Sequence, residues 1–451
     1  MPKHTPWLSA ILLVLIFTVL PGRAAQAQSG PSAAPTTTIE VQPLPPAGVA
    51  HFDPEKATDA YLAKVSGVAR AKSDAYFEGG YWLTLWDALY AIAVSALLLW
   101  LKISARMRNI AQGITRSRFW QVPIYIAQYV VLTTVLTFPM SVYENFFREH
   151  AYGLSNQNFL QWFGDFATGF GVGLVAFVIL GTLVYSAIRG SRRYWWAWGT
   201  AISIVFFVFG AVIAPVFIAP LFNHYEPLKE GPVKADILSL ARANGIPVTN
   251  VYEFDASRQS KRISANVSGF LGTTRISLND NLLNRSNERE ILAVLGHEMG
   301  HYVLDHATRL ILLMGLVFLV GFAFAAWGFD FLTDLFGGNW DVRSVDDPAG
   351  LPVLMALATF YLLVTTPIQN TIVRTTEAQA DIFGVNASRQ PDGFAEATLQ
   401  LSEYRKLDPT PLEEFVFYDH PSGRSRISMM MHWKAEHLND PDIKAGPLSP
   451  Q

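Results

Sequence analysis

His297, Glu298 and His301 stand in the pattern H-E-x-x-H. Two imidazoles four residues apart lie on one face of a helix, so they can hold one ion between them. A carboxylate one residue after the first His sits beside the water such an ion would carry. Two His ligands with a Glu as general base is the donor set of a zinc hydrolase. The run Asn287–Leu310 has the helical character this requires. Asn287 followed three residues later by Glu290 reads as an N-cap pair. Ile291, Leu292, Val294, Leu295, Val303 and Leu304 then supply apolar positions without a proline.

A zinc site of this kind needs a third protein ligand. His306 is nearest in sequence, but on a continuous helix it lies about 140° round from His301. It also misses the H-E-x-x-H-x-x-G-x-x-H spacing, so it reads as a structural residue or an outer partner of the site. Glu377, in Arg374-Thr375-Thr376-Glu377-Ala378-Gln379-Ala380-Asp381, is the better candidate, with Asp381 four residues on. They share a helix face, so one can ligate while the other takes a ligand His N–H and sets its tautomer. His420, in His420-Pro421-Ser422-Gly423-Arg424-Ser425-Arg426, could donate to a developing oxyanion. Arg426 could support it or bind a substrate carboxylate.

The elements that must position these residues are mostly membrane helices. Hydrophobic residues make up 51% of the 451-residue chain and charged residues 16%, the balance of a polytopic membrane protein. The net charge of −3 gives no footing for nucleic acid. With no cysteine, thiolate ligands, disulfides and a cysteine nucleophile are excluded. Residues 1–27 resemble a signal peptide: Lys3, an apolar core Trp7–Leu20, and Ala25-Gln26-Ala27; the rival reading is a first membrane helix. Residues 28–80 form a Pro/Ser/Ala-rich linker followed by a polar helical segment.

Six spans follow: Tyr81–Leu101, Trp120–Met140, Phe166–Ile188, Trp195–Ala219, Leu310–Phe331 and Leu351–Thr366. A retained N-terminal segment would make seven. Asp87, inside the first span, is expected to face the bundle interior. The chain thus divides into membrane helices over 81–220, a soluble insert over 221–309 ending in the H-E-x-x-H helix, further membrane helices over 310–368, and a helical part over 369–451. The insert has a helix near Pro232–Asn244, a strand Asn250–Asp255 and a hairpin within Ile263–Asp280. The fold class is mainly α, with a small α+β zincin-type domain whose strand edge can take an extended peptide by strand addition.

The loop 102–118 carries Lys102, Arg106, Arg108, Arg116 and Arg118, and 189–194 carries Arg189, Arg192 and Arg193, whereas 142–165 holds only Arg148. Positive-inside places the first two in the cytoplasm and the insert on the extracytoplasmic side of what would be a bacterial inner membrane. The loop 331–350, on the cytoplasmic side by alternation, is acidic with a single Arg343.

Taken together, Phe217-Ile218-Ala219-Pro220-Leu221-Phe222, Ser264-Ala265-Asn266-Val267-Ser268-Gly269-Phe270, Val294-Leu295-Gly296-His297-Glu298-Met299-Gly300-His301, Glu377-Ala378-Gln379-Ala380-Asp381 and His420-Pro421 with Arg426 resemble the membrane zinc metalloproteases related to the type I CAAX prenyl proteases. The resemblance runs over roughly residues 55–435. It implies one zinc held by His297, His301 and Glu377, which leaves Asp381 as the outer partner. It implies Asn266 and His420 as substrate and oxyanion contacts with Arg426 close by, and seven membrane helices around a water-filled chamber. It also implies polypeptide substrates, from CAAX tripeptides to threaded peptides. The rival function class is a non-catalytic holdase or a transporter with a structural metal; such a site has no use for Glu298.

Overall fold

The computed structural model describes residues 52–268 and 274–443. The signal-like segment, the linker to residue 49 and Gly269–Thr273 fall outside the described residues.

The first helix, α1 (Pro54–Ala63), starts where Asp53 accepts from the amides of Glu55 and Lys56. Gly67–Trp100 is one helix, α2, of 34 residues. At about 1.5 Å per residue it runs about 50 Å, well beyond a hydrocarbon core of about 30 Å. The later part of the polar segment expected before the first span, from Gly67 on, is therefore the same rod, standing out of the bilayer. After α3 (Ile103–Ile114), α4 (Arg118–Val142) passes into a π-helical turn, Tyr143–Arg148. Pro139 lies just upstream, where its missing amide loosens the ladder. Then come α5 (Phe159–Gly190), opened by an Asn158–Gln161 capping box, and α6 (Trp195–Ile213). Pro215 and Pro220 distort the end of α6 into π and 3₁₀ turns.

The insert forms a four-stranded sheet ordered β1-β2-β4-β3 from β1 (Tyr225–Pro227), β2 (Val251–Phe254), β3 (Ala265–Ser268) and β4 (Arg275–Asn279). β3 and β4 are antiparallel, with Asn266 opposite Ser277, which is the hairpin expected from the sequence. The helix α7 (Pro232–Ala243) precedes β2. After the short α8 (Asp280–Arg285) comes α9 (Glu288–Val303), which carries His297, Glu298 and His301. Its capping box between Asn287 and Glu290 is present.

The membrane is re-entered by α10 (His306–Trp340). Next, α11 (Leu351–Val364) and α12 (Thr366–Ser388) meet at a 56° bend. The chain finishes in α13 (Pro391–Gln400), α14 (Pro411–Phe417) and α15 (Gly423–Glu436). Among the described residues five helices are long and apolar enough to cross a membrane, and the bent α11–α12 pair makes a sixth. That agrees with the six spans read from residues 81–366.

The acidic loop before α11 meets the arginine-rich loops at one end of the bundle. Arg108 is 1% exposed and bonds Asp347 and Asp341, each at 2.7 Å. Asp346 takes Arg192 at 2.6 Å and Arg118 at 3.9 Å. The acids that run against the positive-inside count are therefore spent as partners for arginines of the neighbouring loops.

Candidate metal centre

Two apolar cores hold α9. On one side Ile291, Leu295 and Met299, spaced by four, pack on Val251, Ile276 and Leu278 of the sheet. On the other, Ala293 joins Val385, Phe394, Ile427 and Met430 from α12, α13 and α15, with Tyr61 and Leu62 of α1. Between these cores α9 crosses α12 at very short range. A Cβ placed on Gly296 would sit 2.8 Å from the Gly384 carbonyl oxygen, and one on Gly384 would sit 2.7 Å from the His297 amide nitrogen. Side-chain-free backbones at this crossing let the carboxylate of Glu377 reach the two imidazoles.

His297 Nε2 lies 3.2 Å from His301 Nε2 and 3.2 Å from Glu377 Oε2, and His301 Nε2 lies 3.5 Å from Glu377 Oε1. The three residues offer ligand atoms all within 4.8 Å of one another. A tetrahedral ion with bonds of about 2.0–2.1 Å separates its ligand atoms by about 3.3 Å, so the spacing fits one. The hydrogen bonding fits too. Glu377 Oε2 is buried and accepts no hydrogen bond of good geometry among the described residues, although His297 Nε2 and His420 Nε2 are each 3.2 Å away. A buried carboxylate oxygen surrounded by ring nitrogens calls for a cation.

The outer nitrogens are already engaged. His297 Nδ1 donates to Asp381 Oδ1 at 2.7 Å, leaving its Nε2 lone pair for the centre. Asp381 is 0% exposed and takes Arg426 Nε at 2.8 Å on Oδ2 and Arg426 Nη2 on Oδ1. His301 Nδ1 faces His306 Nδ1 at 3.1 Å. Burial opposes charge on His297, but without a cation at the centre Asp381 and Glu377 outweigh it and raise its pKa. Burial likewise pushes Glu298 up, opposed by the His297 and His301 charges. Beside the centre, Asp419 accepts from His420 Nδ1 at 2.8 Å. Burial disfavours the Asp419 carboxylate, yet His420 holds its pKa well below the usual range.

The family model of peptidase family M48 matches residues 227–434, and that of the CAAX prenyl protease N-terminal region, five membrane helices, matches 55–224. A CAAX prenyl protease 1 homolog of Arabidopsis thaliana is 30% identical over 67% of this chain and 72% of its own length. The chain belongs to the CAAX prenyl protease 1-like family of membrane metalloproteases. An uncharacterized metalloprotease, YhfN, of Bacillus subtilis is 27% identical over 76% of this chain and 79% of its own. The crystal structure of S. mikatae Ste24p shares the fold, with TM-score 0.69 at 21% identity, covering 84% of this chain and 94% of that one. This M48-family protein is thus a multi-pass membrane metallopeptidase.

Most residues singled out from the sequence converge: His297, Glu298, His301, Glu377, Asp381, His420 and Arg426 form one cluster. Asn266 lies on β3, the edge strand, which runs along α9. Two details depart from expectation. The run Asn287–Leu310 is two helices, broken where Asp305 adopts a left-handed φ of 50°. His306 therefore starts a new helix and swings back onto His301, where a continuous helix would carry it away. Arg426, a candidate substrate contact, is 7% exposed and committed to Asp381, because a buried carboxylate needs a cation beside it. The stretch holding Glu377, which by sequence continues helically out of the last span, does so through a 56° bend. Asp419 escaped the sequence reading; its signal was an acid directly preceding His420.

Proposed function

We propose that this protein is a zinc endopeptidase that hydrolyses membrane-associated or threaded polypeptides, with His297, His301 and Glu377 holding the metal. The observation that carries the reading is the convergence of two Nε2 atoms and one carboxylate at 3.2–3.5 Å, beside a Glu and a third His, His420, that such an ion needs only for chemistry. Bound there, zinc supplies Lewis acidity toward the scissile carbonyl and lowers the pKa of water.

Glu298 takes the proton of the attacking water and passes it to the leaving amine. Burial raises its pKa toward that task. His420, with Nδ1–H bound to Asp419, turns Nε2 toward the centre and donates to the oxyanion. Asp381 and Arg426 fix the His297 ring. Asn266 on the edge strand β3 holds the peptide backbone in extended form.

The arginine distribution supports a site on the extracytoplasmic face of what would be a bacterial inner membrane. The Arabidopsis thaliana and Saccharomyces cerevisiae relatives are named CAAX prenyl proteases, and an outward-facing site would not meet a C-terminus prenylated in the cytosol. We therefore assign exported and membrane-bound polypeptides as substrates ahead of prenylated ones. Cleavage of an unfolded reporter peptide by purified protein, wild type beside Glu298→Gln with zinc quantified in both, tests the reading. Zinc in both and a loss of several orders of magnitude in rate for the variant is expected. Equal cleavage would overturn the mechanism, and zinc with no cleavage by either would favour a holdase.

A further inference from the structure

The end of the bundle remote from the metal centre holds a second concentration of charge. Arg118 opens α4, Arg189 closes α5 and Arg192 lies in the turn before α6. Asp346 is a carboxylate shared by two of them, Arg192 Nη2 at 2.6 Å and Arg118 Nη2 at 3.9 Å. Arg189 Nη1 donates to the Arg118 carbonyl at 2.5 Å, which ties the third guanidinium to the same cluster. The contrast with Arg108 is instructive: there one guanidinium meets two carboxylates and is closed off. Here two guanidiniums share one carboxylate, and the third, Arg189, reaches only a backbone carbonyl. In addition, Arg189 Nε is shielded from solvent with no acceptor among the described residues. A buried donor left unmade is costly, and an incoming oxygen would relieve it.

The depth of the cluster narrows what that oxygen belongs to. Trp120 and Tyr194, 57% and 51% exposed, flank it at the ends of their helices, the position of aromatic residues at headgroup level. Guanidiniums bind phosphate with two parallel N–H···O bonds. We infer that Arg118, Arg189 and Arg192 form a binding site for the phosphodiester of an anionic phospholipid. The bound headgroup supplies the charge that Asp346 leaves unmatched and seats the loop that leads into α11.

The full chain would be purified, exchanged into bilayer discs of equimolar phosphatidylglycerol and phosphatidylcholine, and its retained lipid counted by native mass spectrometry. Wild type should retain phosphatidylglycerol preferentially. Each arginine removed should cost about fivefold of that preference, the equivalent of about 1 kcal/mol per basic residue at the surface. Arg189→Gln with Arg192→Gln should abolish it, whereas Arg242→Gln with Arg289→Gln, a charge-matched pair on the protease domain, should leave it unchanged. Arg118→Gln, whose side chain is 80% exposed, decides the matter if the double variant does not fold. No preference in wild type, or an unchanged preference in Arg118→Gln, overturns the site. Displacement of the lipid by an equal concentration of inorganic phosphate overturns the lipid assignment in favour of a free-phosphate site.

Discussion

The two faces of α9 obey different rules. Toward the sheet, Ile291, Leu295 and Met299 are 3%, 0% and 0% exposed and make an ordinary apolar core. Toward α12 the same helix shows Gly296 and Gly300, and the contact is backbone on backbone. The first face needs only hydrophobic volume, which many side chains provide. The second needs an absence of volume, because ligand atoms on separate helices must come within a few ångströms. One face stabilises the helix and the other decides what the helix can hold.

The strongest way to break that distinction is to add one methyl group. Gly384→Ala puts a Cβ 2.7 Å from the His297 amide nitrogen, and backbone atoms have no rotamer by which to yield. Displacing α12 by about 1 Å should cost about 10²-fold in peptide cleavage, with metal content falling in parallel. Metal analysis beside the kinetic assay checks this; a fully loaded, active Gly384→Ala protein would show the crossing to be tolerant.

Next in size are the outer partners of the two imidazoles. Asp381→Asn removes the carboxylate behind His297 and leaves Arg426 buried without a counter-charge. It should weaken zinc binding about 10–100-fold and destabilise the fold by about 3–5 kcal/mol. His306→Ala removes a neutral partner from His301 and should weaken zinc about tenfold, at the lower end of that range. Competition with a chelator of known affinity measures both, and equal losses would sink the idea that the His297 side is the more strongly built.

The smallest effect on the metal comes from the sheet face. Leu295→Ala should lower stability by about 2–5 kcal/mol through the cavity it leaves. Zinc affinity per folded molecule should not change, as thermal melts and the same chelator competition would show.

Much of this was legible because it is local. A spacing of four places His297 and His301 on one face whatever surrounds them. Asn287 and Glu290 announce the helix start, and long apolar runs announce the spans. Apolar stretches around Leu271-Gly272-Thr273-Thr274 marked the hairpin of β3 and β4. These features follow from backbone geometry and from the cost of exposing apolar groups, and they act over a few residues. His306 lay beyond that reach. Its orientation depends on one left-handed residue, Asp305, and a continuous helix was the wrong extrapolation. Arg426 likewise shares a sequence neighbourhood with His420, but its partner, Asp381, is 45 residues away.

By itself, then, the sequence determined the donor types, their pairing along α9, the membrane character of the chain and the edge strand beside the motif. Residue spacing left either acid able to face the imidazoles and resemblance favoured Glu377; the tertiary structure puts Glu377 beside both rings and Asp381, one turn on, behind His297. It also decided that the acidic loop before α11 neutralises arginines of other loops. The reason is the same in each case. A charge removed from water must find its partner in space, and the partner that packing brings within about 3 Å need not be near in sequence.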